Sequence, residues 1–342
     1  MSYHKPLLET AEEYLLRRTV QDAINSFDLA EGAACDPDSC AAGRWVCYML
    51  LGHFEKAWIE SDAIARRNNP DPNRYWDGAL FAGRRVLIRC LHGLGDTLQF
   101  LRYAPMVRKT AAFLAIETQP ALKSLILCSQ LADQVLTWGE LEPDWDQQIE
   151  VMELPRAFRS TLQSIPAAVP YLHPCSSWPQ DSKEDPFLRV GLVWASSTFN
   201  PQRSIGLDAL EPLFSAPEVR FYNLQVGPES QQAKRCSISL PRLCEEGTDI
   251  LHLAALLHRL DLVITVDTMM AHLAGALALP VWTLLPYEGD WRWMLHRDDS
   301  PWYPTMRLFR QREPGNWAPV VRDLDLALKA LLTRRSVLVP EG

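Results

Sequence analysis

Five short segments hold residues of the kinds that bind anions, move protons or grip polar rings. The first is His92-Gly93-Leu94-Gly95-Asp96-Thr97, which follows a β-rich run and opens a helical one. Gly93 and Gly95 let the backbone turn sharply and come close to a ligand. Asp96 then stands at the start of a helix, where a carboxylate can take a proton from an attacking hydroxyl. The same carboxylate could simply cap the helix, which is the commoner use of Asp there. The two roles separate on one substitution. Asp96→Asn keeps a cap and loses a base, and if Asp96 is the base this change is expected to leave folding and ligand affinity little altered. The full Gly-x-Gly-x-x-Gly fingerprint is not present, because Leu98 occupies the third position.

The second segment runs from Leu262 to Gly275 and contains Val266-Asp267-Thr268-Met269-Met270-Ala271-His272. An apolar strand leads directly into a helix, and the N–H groups and dipole of a helix start favour an anion such as a diphosphate. Thr268 adds a hydroxyl, Met269 follows it, and His272 lies one turn along on the same face as Thr268. The third segment is Trp194-Ala195-Ser196-Ser197, with Arg203 beyond it. Small hydroxyl residues after a strand suit phosphate contacts, and Arg203 could neutralise charge on a leaving diphosphate. The fourth, Asn223-Leu224-Gln225-Val226-Gly227-Pro228, is placed to meet a nucleobase and ribose. The fifth is Glu288-Gly289-Asp290-Trp291-Arg292-Trp293, followed by Ser300-Pro301-Trp302-Tyr303-Pro304. Clustered Trp, Tyr and Arg in a loop can stack on sugars or cover a sheet edge, and Trp302 fits either use.

These segments need a scaffold that brings strand ends together. Strand-like runs alternate with helical ones twice. Arg85 to Cys90 and Phe113 to Glu117 read as strands, with helices at Thr97 to Lys109 and Ala121 to Gln134. After a Pro- and Ser-rich stretch between Ile165 and Pro186, strands are expected at Arg189 to Trp194, Arg220 to Gln225, Leu262 to Val266 and Val281 to Leu285. Helices are expected near Leu207 to Phe214, Ile250 to His258, Thr268 to Ala278 and Trp317 to Leu332, while Trp138 to Pro155 reads as irregular. Such alternation predicts two doubly wound parallel sheets, with ligands bound beyond the carboxyl ends of the strands. Residues 1 to about 75 hold no strand pattern; Leu7 to Ala30 and Ala41 to Arg67 read as helices. Leu51-Gly52-His53-Phe54-Glu55-Lys56-Ala57 has the look of a turn between two packed helices, closed off by Pro70. This unit resembles one tetratricopeptide repeat preceded by a degraded one; a plain helical extension is the other reading. Fewer than about three repeats rarely stand alone, so the unit is expected to lean on the next domain or on a partner protein.

Composition narrows the options. The chain has 342 residues, 47% hydrophobic and 22% charged, with a net charge of −8. The acidic balance and scattered basic residues argue against nucleic acid. No apolar run approaches the roughly 18 residues of a membrane helix, and the N-terminus lacks a signal-peptide pattern. The expected location is the cytoplasm, with the inner membrane as a peripheral docking site. None of the eight cysteines forms a Cys-x-x-Cys pair, so reduced thiols, no disulfide and no structural metal are expected.

Taken together, these motifs resemble glycosyltransferase family 9, the ADP-heptose:lipopolysaccharide heptosyltransferases, and in particular members fused to tetratricopeptide repeats. The resemblance rests on Gly93 to Tyr103, Val190 to Ala195, Val266-Asp267-Thr268 with Ala271 to Gly275, and Asp290-Trp291-Arg292-Trp293 through Trp302-Tyr303-Pro304, and it covers Tyr75 to Leu332. It implies a GT-B fold of two facing Rossmann-like lobes behind a small all-α module. The expected division is 1–75 for the helical module, 76–175 for the acceptor lobe and 186–342 for the donor lobe, with the last helix an option for packing back on the first lobe. It also implies inverting, metal-independent transfer of a sugar, by default heptose, from a nucleotide-diphosphate donor, ADP-linked in the family default, to a hydroxyl of a glycan or protein. No cofactor is expected. Asp96 matches the family's catalytic base. Asp267, Thr268 and His272 match its diphosphate site, and Arg203 falls where the family commonly has Lys. The family's nucleobase contacts fall near Gln225 and Gly227, and Gly95, Gln99, Asp290 and Trp291 fall where acceptor or sugar contacts are made. A nucleotide-sugar epimerase on the same fold, or a non-catalytic scaffold, are the competing readings.

Overall fold

The computed structural model describes residues 5–67, 76–175, 186–197, 200–236 and 238–338. Pro70 and Tyr75 lie outside them. The chain opens with four helices, α1 (Lys5–Leu16), α2 (Val20–Gly32), α3 (Pro37–Leu50) and α4 (Phe54–Arg67). Each of the two long helical runs read from the sequence covers two of these helices, broken by a tight turn. Between α3 and α4 the turn passes through Gly52 at φ +73°, a left-handed conformation that a side chain would strain. Phe54 and Ala57 follow it and are completely buried.

The first lobe then unfolds as β1 (Arg85–Arg89), α5 (Leu94–Phe100), α6 (Ala104–Arg108), β2 (Phe113–Thr118), α7 (Lys123–Cys128), β3 (Gln134–Thr137), β4 (Gln147–Glu150) and α8 (Leu154–Ala157). Its sheet has the order β3-β2-β1-β4, all parallel. The second lobe contributes β5 (Leu188–Val193), β6 (Val219–Asn223), α9 (Ile250–Leu257), β7 (Leu262–Val266), α10 (Met269–Ala276), β8 (Val281–Leu285), β9 (Met306–Arg310) and α11 (Ala318–Leu338). Its sheet has the order β6-β5-β7-β8-β9, again parallel. Every residue of β7 and β8 is buried, as expected for largely apolar, β-branched runs in a sheet covered on both faces. This is the GT-B arrangement. The strands β3, β4 and β9 were not expected, and the helix read over Leu207 to Phe214 is a 3₁₀ stretch from Leu207 to Ser215.

One apolar core runs through all three regions. It joins Phe54 and Trp58 of α4, Leu98, Phe100 and Tyr103 of the first lobe, and Leu273, Trp293, Trp302 and Tyr303 of the second. Trp302 is therefore not a free stacking surface; it is completely buried. The helix α11 packs on Leu207–Ser215 and β9, and its Val320, Val321 and Leu324 join the second lobe's own core.

The expectation of eight reduced thiols is corrected at one pair. Cys128, at the end of α7, is bonded to Cys175, with Cα atoms 4.9 Å apart. The pairing depends on a return of the chain across α7, where Ser129 Oγ accepts from the His173 N–H at 2.9 Å. Spacing along the sequence carries no sign of that return. The six other cysteines form no disulfide.

Candidate active site between the lobes

The carboxyl ends of both sheets face a cleft of about 1240 Å³. Its first-lobe wall is His92 to Asp96 after β1, with Met152 after β4. Its second-lobe wall comes from the loops after β5, β6, β7 and β8, including Ser196, Ser197, Arg203, Gln225, Gly227, Asp267, Thr268, Met269, His272, Asp290 and Arg292. Most of the residues singled out in the sequence thus share one space. Gln99 and Trp291 do not line it. Gln99 is completely buried in α5. Trp291 packs edge-on against Trp45 of α3 at 5.2 Å and stacks on Phe100 at 6.3 Å.

The lobes meet where α5 crosses α10. A Cβ on Gly95 would lie 2.9 Å from His272 Cδ2, so the approach needs a residue without a side chain. His272 is buried, stacks on Trp293 at 5.3 Å and bonds Tyr303 through Nδ1 at 3.0 Å. Burial drives its pKa well below 6.5, and the cations Arg292, Arg102 and Arg203 push the same way, so the ring is neutral at neutral pH.

Charges alternate across the cleft. Asp267 lies 3.5 Å from Arg203, and Arg203 lies 3.6 Å from Asp290. Asp290 is 2.9 Å from Arg292, whose other nitrogen bonds Asp96. The row therefore links the end of β7 to the loop after β1, one lobe to the other. Burial raises the Asp267 pKa; Arg203 opposes the rise and Asp290 adds to it. Asp96 also accepts from the Gly93 N–H at 3.0 Å, so it caps α5 and bridges the lobes with the same carboxylate. Arg292 is the functional candidate that sequence reasoning left out of the site. Its partner Asp96 is 196 residues away, and only the fold brings the two together.

Several expected contacts are already occupied by the protein itself. Gln225 Oε1 accepts from the N–H groups of Trp194 and Ala195, at 3.1 and 2.9 Å, and so shapes the loop after β5. Ser196 Oγ donates to the Asn200 carbonyl at 2.6 Å. Thr268 caps α10 by accepting from the Met270 N–H at 3.2 Å. Gly227 turns the chain at φ +76° into a 3₁₀ stretch, and Ser197 is exposed on the rim.

The helical module grips the loop that carries Asp290 and Arg292. Arg18 donates to the Gly289 carbonyl at 2.7 Å, Tyr287 Oη donates to the Arg17 carbonyl at 2.9 Å, and the Leu295 N–H donates to the Leu50 carbonyl at 2.8 Å. Toward the first lobe, Trp58 Nε1 donates to the Ser160 carbonyl at 2.8 Å, and Asp62 pairs with Arg156 and Arg159. Among the described residues no group of His, Cys, Asp or Glu is arranged to hold a metal ion, and no helix is long and apolar enough to cross a membrane.

Comparisons with known proteins agree with this picture. Residues 229–302 match the family model described as glycosyltransferase family 9 (heptosyltransferase). The chain superposes on the glycosyl transferase family 9 structure from Veillonella parvula with a TM-score of 0.55 and 12% identity, covering 75% of this chain and all of that one. It superposes on the E. coli ADP-heptose lps heptosyltransferase II with a TM-score of 0.50 and 12% identity, covering 74% of this chain and 99% of that one. At such identities the likeness concerns the fold. Among curated proteins it is similar to Protein FlbA of Caulobacter vibrioides, at 25% identity over 91% of this chain, and it spans 59% of that protein's length. Fold and cleft define a GT-B protein. The resemblance read from the sequence agrees with a family 9 match confined to residues 229–302 and with the fold of the family 9 structures.

Proposed function

We propose that the protein moves a sugar from a nucleotide-diphosphate donor to an acceptor hydroxyl, with inversion at the anomeric carbon and without a metal. The observation that carries this reading is the row of alternating acids and guanidinium groups beside the start of α10. A diphosphate arriving at that helix start meets a favourable dipole, and it competes with Asp267 and Asp290 for Arg203. The acceptor oxygen attacks the anomeric carbon while the bond from that carbon to the diphosphate oxygen breaks. The electron pair leaves with the diphosphate, and the hydroxyl proton passes to Asp96. Arg203 and Arg292 are the guanidinium groups in the cleft wall that can meet the charge building on the leaving group.

Supporting the donor's placement, Ser197, Gly227, Met269 and His272 surround the same space on the second-lobe wall. Gly95 and Asp290 stand where the sugar and acceptor would meet. Gln225, Ser196 and Thr268 act in this reading by shaping the loops. The reading retains the division at 1–75, 76–175 and 186–342, a glycan or protein acceptor, an ADP-linked donor as default and a cytoplasmic setting. The helical module, read as tetratricopeptide-like, sets the Asp290–Arg292 loop.

The bond from Arg292 to Asp96 favours a second reading, in which the acid is structural and the domain a scaffold. One assay separates them. Nucleotide-diphosphate sugars are incubated with the protein and a panel of glycan and protein acceptors in EDTA, release of nucleoside diphosphate is followed, and the anomeric configuration of the new glycoside is read by NMR. Release with inverted configuration is expected. Release that needs added manganese, interconversion of donors without release, or no turnover of any donor would each overturn the proposal.

A further inference from the structure

At the first-lobe wall a second acid stands behind the cleft and is not used by the reading above. Glu150 ends β4, directly beside Arg89 of β1 in the parallel register. It is 7% exposed. Its Oε2 accepts from the Met152 N–H at 2.7 Å and so caps the short turn Val151–Glu153. Its Oε1 is buried and makes no hydrogen bond. The Leu91 N–H faces the carboxyl group and favours its charged form, and the His92 ring stands beside it, with Nε2 at 3.9 Å from Oε1. The His92 ring is more than half exposed and lines the cleft, one residue before Gly93. Its backbone is fixed, because the His92 carbonyl accepts from Gln119 Nε2 at 2.7 Å. A small rotation of this exposed ring on its anchored backbone therefore closes the gap to the orphaned oxygen.

We propose that Glu150 is a positioning residue for His92: its buried carboxylate accepts the imidazole Nε2–H, which leaves Nδ1 as a hydrogen-bond acceptor turned to a hydroxyl of the incoming acceptor. This deepens the transferase reading and rests on it, since it assigns the first-lobe wall to a polyhydroxyl acceptor. A carboxylate behind an imidazole fixes the tautomer and so decides which nitrogen meets the ligand. A cap needs only one oxygen, and Oε2 already supplies it, so capping does not account for an acid at this position. The groups facing Glu150 are Cys90 and His92 just after β1, Asp96 on α5 and Glu153 in the turn. Burial, Glu153 and Asp96 together raise the carboxyl pKa to about 7, so the charged form that takes the N–H is present above that pH.

The test reads the His92 tautomer from its ring ¹⁵N shifts on the full chain at pH 8.5, with His92→Gln used to assign the signal. Wild type is expected to hold the Nε2–H form over the Nδ1–H form by about tenfold or more. In Glu150→Gln the amide oxygen keeps the cap and the amide N–H faces the ring, so the preference is expected to reverse to Nδ1–H. A wild-type ring in the Nδ1–H form, or a folded Glu150→Gln protein with an unchanged tautomer, would overturn the assignment. Should Glu150→Gln fail to fold, the wild-type spectrum alone still decides. Neither result depends on a donor. Failure of the transferase reading shows as absent donor binding, and failure of this one shows as the wrong tautomer.

Discussion

Asp96→Asn distinguishes the chemical role of Asp96 from its structural ones, and the structure changes the size of each. Asparagine retains an oxygen for the Gly93 N–H, so the cap on α5 survives. It removes the charge that Arg292 bonds. A hydrogen bond to a charged group contributes roughly 1.5–3 kcal/mol. The lower end applies here, because Arg292 keeps Asp290 at 2.9 Å and the Asp96 side chain is 25% exposed to water. Folding should therefore weaken by about 1.5 kcal/mol, a fall of roughly 2–5 °C in melting temperature. The expectation that this substitution spares stability is revised by the bridge between the lobes. Loss of a general base lowers turnover by about 10²–10⁴, far more than a modest loss of stability can do at 25 °C. Nucleoside-diphosphate release under saturating donor, measured beside a melting curve, reads both quantities. A folded Asp96→Asn protein with near wild-type turnover would refute the base assignment and leave the acid as a bridge.

Three further outcomes follow from particular contacts. Gly95→Ala places a Cβ 2.9 Å from His272, and a lobe-to-lobe crossing with this overlap should lose about 1–3 kcal/mol; an unchanged denaturation midpoint would show that the lobes part freely there. Trp45→Ala removes the edge-on contact with Trp291, and we expect about 2 kcal/mol of lost stability and slower donor turnover as the Asp290–Arg292 loop loosens; equal turnover at a lower melting temperature would confine the helical module to a structural role. For Glu150 the folded pKa of about 7 exceeds its ordinary 4.5, so its contribution is fully present below pH 4.5 and lost as pH rises through 7. Glu150→Gln should match wild type near pH 4.5 and exceed it at pH 8 by on the order of 3 kcal/mol; a variant no more stable at pH 8 would contradict the burial argument.

Much of the scaffold was legible because it follows from periodicity. The runs Leu262–Val266 and Val281–Leu285 are apolar except for Thr265 and Thr283, and every residue in them is buried. The strands that escaped notice have polar sequences. β4 is Gln-Gln-Ile-Glu, and its polar side chains are buried because neighbouring elements cover them, which a local pattern cannot reveal. β9 follows an aromatic loop and carries Arg307 and Arg310, so it reads as surface. The loops after strands hold most of the candidate residues, and the fold brings them to one cleft, where open parallel sheets present ligands. What spacing could not supply was partnership. Arg292 meets Asp96, Trp291 meets Trp45 and Cys128 meets Cys175 only through the tertiary path of the chain. Gln99 follows Asp96 closely in the sequence but lies on the inner face of α5, away from the cleft.

Donor binding is the most direct test of the central claim, that the cleft takes a nucleotide diphosphate beside α10 and Arg203. Isothermal titration with a panel of nucleoside diphosphates and their sugars, in EDTA, should give saturable binding for at least one of them. In a matching melting experiment, a ligand at about a hundred times its dissociation constant should stabilise the fold by roughly 2.7 kcal/mol. Arg203→Gln, which removes one charge-assisted contact, should weaken that binding by at least about tenfold. Equal affinity in Arg203→Gln, or no binding by any member of the panel, would contradict the account.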